Sequence, residues 1–172
     1  MVNGSTTPAA AGILIAAVLL FQTAAAQWRV GQESPTGSTK RIDVAVVENE
    51  SGHRLRIFSD DARNVHGIFE IGGGFDTIDP GVCPTYRVDK REPQRVAFGE
   101  GRCQILPKQA EFTLGRTYEG RNERLRRIMN GSNIVFRYRL GGGNYRETSF
   151  TLRGSMYALT TAVEDLEVGV EE

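Results

Sequence analysis

Four side chains suited to holding an anion fall close together in the chain: Arg137, Arg139, Tyr145 and Arg146. A guanidinium presents a fixed fork of donors that matches carboxylate and phosphate oxygens, and an aromatic face beside it adds cation–π attraction. If these arginines project near Tyr145 on a hairpin, they make a surface for an anionic ligand or partner. The plainer account is a solvated sheet face with cross-strand pairs such as Arg137 with Glu147, which signify little.

Other chemistry-bearing residues are sparse. His53 and His66 are the only histidines, and no Ser or Cys stands in a recognised nucleophile context. Both therefore read as surface or hydrogen-bonded histidines, and no catalytic residue is assigned. Asp60, Asp61, Asp76 and Asp79 are oxygen donors of the kind calcium takes, but their spacing fits no known calcium loop. Asp60 and Asp61 read instead as a strand end, and Asp79-Pro80-Gly81 as a turn. Neither Gly72-Gly73-Gly74 nor Gly141-Gly142-Gly143 precedes the Lys-Ser or Lys-Thr that a phosphate loop requires. Asn130-Gly131-Ser132 and Asn49-Glu50-Ser51 match glycosylation acceptors, which matter only for a eukaryotic source. Cys83 and Cys103 are the only cysteines and match no zinc spacing with the distant histidines. In an exported chain they read as one disulfide, the alternative being two buried free thiols. Neither a metal nor a cofactor is expected.

The elements that must position these residues follow from periodicity. Ile42, Val44 and Val46 alternate with their neighbours over Arg41–Val47, and Leu55 and Ile57 alternate with Arg54 and Arg56, predicting a hairpin across Asn49–Gly52. Val65–Ile71 reads as a third strand. Tyr86–Asp89, Arg95–Phe98, Cys103–Leu106 and Glu111–Leu114 are shorter β pieces broken by Pro or Gly. Ile134–Leu140 and Tyr145–Leu152 flank the second glycine triplet and make the clearest hairpin, with Ile134, Phe136, Tyr138, Leu140, Phe150 and Leu152 inward. Leu125, Ile128 and Met129 predict a short helix ending at Gly131, with arginines on its other face. Leu159, Ala162, Val163 and Leu166 predict a second, with Ser155 available as its N-cap. The fold expected is mainly β, an antiparallel β-sandwich or curled sheet with two short helices, with α+β as the alternative.

The first 26 residues hold no Asp, Glu, Lys or Arg, and Ala9–Phe21 is an apolar run of signal-peptide length. Small residues at 24–26 predict cleavage after Ala26. The n-region lacks a positive side chain, which leaves open a wrong start site or an uncleaved anchor over residues 6–26 that would just span a bilayer. The expected organisation is a signal segment over 1–26, a flexible linker over 27–40 and a single β-rich domain over 41–172. Lys plus Arg and Asp plus Glu are each 21, so the net charge is zero and no global field draws in nucleic acid.

Several segments resemble the invasion-associated locus B family of exported bacterial proteins. They are Cys83 and Cys103 ahead of Phe112-Thr113-Leu114, the Leu125–Gly131 stretch before a strand, and Ser149-Phe150-Thr151-Leu152-Arg153-Gly154-Ser155-Met156-Tyr157-Ala158-Leu159. Trp28-Arg29-Val30 is similar to the family's early tryptophan, but the cysteine expected soon after is absent, so the family's cysteine pairs do not transfer cleanly. The resemblance implies a periplasmic or secreted, envelope-associated β protein, linked in some members to host-cell invasion, with no catalytic residues to carry over. The expectation is thus an exported, non-enzymatic protein that binds a protein or envelope component. The alternatives are an accessory subunit of a membrane complex, held by the N-terminal segment, and a small periplasmic hydrolase.

Overall fold

The computed structural model describes residues 27–34, 40–96, 103–117 and 122–163. The signal segment lies outside them.

Alternating burial runs through most strands, so each sheet has one apolar and one polar face. The larger sheet contains β1 (Arg29–Glu33), β2 (Ile42–Glu48), β3 (Arg54–Ser59), β4 (Asn64–Glu70), β7 (Gln104–Leu106) and β8 (Gln109–Arg116) in the order β1-β2-β3-β4-β8-β7. The smaller contains β5 (Thr85–Val88), β6 (Gln94–Arg95), β9 (Asn133–Arg139) and β10 (Tyr145–Thr151) in the order β10-β9-β5-β6. Every pairing is antiparallel. With helices α1 (Glu123–Asn130) and α2 (Ser155–Ala162), the chain has the mainly antiparallel β architecture with two short helices that periodicity predicts.

The two sheets meet through aromatic side chains. Phe69 of β4 stacks on Phe136 of β9 with ring centroids 4.6 Å apart, and Phe150 of β10 meets both rings edge-on. Tyr86 of β5 packs on Phe112 of β8 from the other side. Offset-stacked and edge-to-face pairs of this kind add stabilisation beyond the area they bury. α1 joins this core through Leu125, Ile128 and Met129, as the helical spacing predicts. Its first turn is capped by Asn122, whose side-chain oxygen accepts from the Leu125 N–H.

Two expectations are corrected. Residues 27–33 are not linker: Arg29–Glu33 is strand β1, paired with β2, and Trp28 just ahead of it is buried and donates from Nε1 to the Thr151 carbonyl at 2.8 Å. Glu33 reaches across β2 to Arg56 of β3 at 2.8 Å. An edge strand exposes most of its side chains, so its sequence can be polar and carry no alternation. Ser155 is not the N-cap of α2. Gly154 takes that position with φ of 84°, and the buried Ser155 hydroxyl donates to the Ile128 carbonyl, tying α2 to the end of α1.

The first glycine triplet has a structural role. A side chain on Gly72 would sit 2.0 Å from the Gly52 carbonyl oxygen, so only glycine lets the two turns pass. Lys108 Nζ then donates to the carbonyls of Gly73 and Gly74 and fixes the loop against the start of β8.

Candidate functional site

The outer face of the smaller sheet carries the arginines. Along β9, Ile134, Phe136 and Tyr138 are buried, which sends Val135, Arg137 and Arg139 outward. On β10 the buried Phe150 fixes the parity, so Tyr145, Glu147 and Ser149 share the outer face. Arg146 lies opposite Tyr138 and therefore alternates to the other face, at the rim of the core. Its charge acts on the Tyr138 phenol: burial pushes that group up, Arg146 pulls it down and Asp76 pushes it up again. The structure thus brings together Arg137, Arg139 and Tyr145 and directs Arg146 elsewhere.

Within that trio, the Arg137 guanidinium lies over the Tyr145 ring at 4.8 Å from its centroid. Arg139 is engaged locally, donating from Nε to the Gly143 carbonyl at 3.1 Å with Asp79 at 3.6 Å. Asp79 also accepts from the Gly81 N–H and closes the turn read from the sequence.

These residues line an open cleft of about 490 Å³. One wall is the Gly81–Cys83 segment, and Cys83 is disulfide-bonded to Cys103, as the cysteine count predicts. The floor adds two residues that sequence reasoning did not single out, Thr85 of β5 and Arg95 of β6. Thr85 pairs with Arg137 on one side and with Arg95 on the other, so Arg–Thr–Arg forms one row across three neighbouring strands. Tyr86 is buried, so the alternation along β5 turns Thr85 outward. The adjacency of β9, β5 and β6 joins segments far apart in the chain and leaves no local signal.

The histidines sit elsewhere. His53 Nδ1 accepts from the Gly72 N–H at 2.8 Å, which leaves the proton on Nε2, 3.5 Å from the Tyr138 hydroxyl. Burial lowers its pKa. His66 Nε2 is 2.9 Å from Asp60, its Nδ1 is 3.7 Å from Glu111, and its ring stacks on Phe58. Burial pushes the Asp60 carboxyl up, but hydrogen bonds from Asn64 and His66 outweigh it and hold the carboxyl below its usual range. Asp60 thereby closes the turn between β3 and β4, and Asp61 pairs with Lys40. Among the described residues, no three His, Cys, Asp or Glu side chains gather as a metal site.

No family model matches the sequence, and no curated protein matches it. The likeness lies in the fold. The chain is similar to invasion associated protein B from Bartonella henselae, known from a crystal structure, with a TM-score of 0.56 over 81% of this chain and 93% of that one. Sequence identity is 10%, so the shared property is the arrangement of strands and helices. Among the described residues no helix is long and apolar enough to cross a membrane.

Proposed function

We propose that the chain is an exported envelope protein of the invasion-associated locus B kind, which acts by binding a protein or envelope component and not by catalysis. Three observations support this reading. The fold is similar to invasion associated protein B. The Cys83–Cys103 disulfide suits an oxidising compartment outside the cytoplasm. Each histidine is turned toward groups of its own fold, His53 toward Gly72 and Tyr138 and His66 toward Asp60 and Glu111, instead of into the cleft.

The observation that carries the binding surface is the cleft on the outer face of the smaller sheet, with Arg95 and Arg137 exposed on its floor. Exposed arginines on a rigid sheet are well placed for recognition, because the strands fix their spacing and the guanidinium forks orient the partner. The test is capture from native envelope with the disulfide-bonded protein as bait, beside an Arg95→Ala, Arg137→Ala double variant. A partner retained by the parent and lost from the variant supports the reading. Equal recovery on both baits removes the cleft as the binding surface.

A further inference from the structure

The cleft has a more specific chemistry, which rests on the binding role proposed above. From the row Arg95–Thr85–Arg137 we infer that it takes a tetrahedral oxoanion, a phosphate group carried on a ligand of about sugar size.

Paired strands lie about 4.8 Å apart, so the Cα atoms of Arg95 and Arg137, one strand to either side of Thr85, are separated by about 10 Å. Two long side chains therefore flank one short side chain on the same face. Their guanidinium tips have the reach to converge above the threonine hydroxyl, and the short residue leaves the notch between them open.

Charge compensation singles out the same pair. Arg139, the third arginine at the cleft, is already held by Asp79 and Gly143. Among the described residues neither Arg95 nor Arg137 has a carboxylate within ion-pairing distance. Glu147 is the direct cross-strand neighbour of Arg137, yet the guanidinium lies over Tyr145 instead. Two guanidiniums without a carboxylate partner line one cleft and give it a positive potential, which favours an anion there.

The donors select the anion's shape. A carboxylate has two oxygens in one plane, and one bidentate arginine engages both from a single side. Swung off the Tyr145 ring, the Arg137 fork would meet the Arg95 fork from the opposite side of the Thr85 hydroxyl, and a phosphate has oxygens to meet donors from all three directions. The volume selects its size. A cleft of about 490 Å³ falls in the range of sites for whole small molecules and is far larger than one inorganic ion needs. The Gly81–Cys83 wall and the Tyr145 side border the space where the remainder of the ligand would lie.

The test is calorimetric titration of the disulfide-bonded protein at low salt with inorganic phosphate, a hexose 6-phosphate and the corresponding hexuronate. A parallel sedimentation assay uses neutral phosphatidylcholine vesicles with and without phosphatidic acid. The hexose phosphate should bind about tenfold or more tightly than the hexuronate, and Arg95→Ala or Arg137→Ala should each weaken it by a similar factor. Thr85→Val should weaken it several-fold. The exposed Arg153→Ala change, outside the cleft, should leave it unaltered. Binding to phosphatidic acid vesicles without binding to the free sugar phosphate would assign the phosphate to a lipid headgroup. Equal affinity for phosphate and carboxylate, or no binding of any phosphate-bearing probe, would overturn the inference. Capture of a partner that depends on Arg137 would survive either failure, so this result and the test of the binding role can be told apart.

Discussion

The guanidinium of Arg137 lies over the ring of Tyr145, 4.8 Å from its centroid, although Tyr145 is its diagonal neighbour and Glu147 stands directly opposite. Stacking keeps the charge on the outer face while leaving the donor edge of the fork uncovered. An ion pair with Glu147 would have consumed that edge and neutralised the cleft.

This geometry makes a measurable prediction. A double-mutant cycle of Arg137→Ala and Tyr145→Ala, read by urea unfolding, should give a coupling of about 0.5–1 kcal/mol, the usual size for an exposed cation–π pair. Glu147→Gln should shift stability by less than about 0.5 kcal/mol. A cycle that couples Arg137 to Glu147 and not to Tyr145 would reverse the assignment.

Trp28 is the chain's only tryptophan and is buried at the start of β1, so its emission reports whether that strand is docked. Trp28→Phe keeps most of the apolar contact but leaves the Thr151 carbonyl without its donor, at a cost of about 1–3 kcal/mol. Trp28→Ala should cost about 3–5 kcal/mol. Both should lower the urea midpoint. Blue-shifted emission in the native protein that moves red in the same transition as circular dichroism would show β1 unfolding with the rest. A separate early red shift would mean that β1 is a detachable tether after all.

His53 couples stability to pH. Burial lowers its pKa, so the folded state resists the proton that the unfolded chain accepts near 6.5. The unfolded chain binds more protons in that window, so stability must fall as pH drops. The contribution is complete above 6.5 and is lost progressively as the pH moves down toward the lowered folded value. Protonation also removes the Nδ1 lone pair that accepts from Gly72. The urea midpoint should therefore decline as the pH falls below 6.5, and His53→Gln should flatten that decline. Asp60 acts in a separate window. Its lowered pKa contributes above its ordinary value of 3.8 and is lost as the pH falls through the folded one.

The parts of this fold legible in the sequence are those whose burial alternates locally. The β9–β10 hairpin announces itself because Ile134, Phe136 and Tyr138 alternate with exposed residues and a glycine turn follows. The same parity places Arg146 with Phe150 and away from Tyr145, so even that detail was available from period two alone. β1 was not, since only Trp28 is deeply buried there and the rest of the segment is the polar run of an edge. Thr85 and Arg95 were not either. Their significance comes from β5 lying between β9 and β6, an adjacency set by how two sheets close around Phe69 and Phe136.

The disulfide closes a loop of 20 residues that includes β5 and β6, and so it holds the strands that carry Thr85 and Arg95. Removing it with Cys83→Ala and Cys103→Ala frees that loop in the unfolded chain and should cost about 3 kcal/mol, seen as a lower urea midpoint. The cost should fall unevenly across the molecule. β9 and β10 pair with each other along seven residue positions and should keep their amide protection, whereas β6 pairs with β5 at only two. Hydrogen exchange in the variant should therefore accelerate first at Gln94–Val96, where the Val96 N–H donates to the Pro84 carbonyl next to Cys83. Uniform acceleration across both sheets would mean that the bond acts only on global stability and does not serve to hold the cleft.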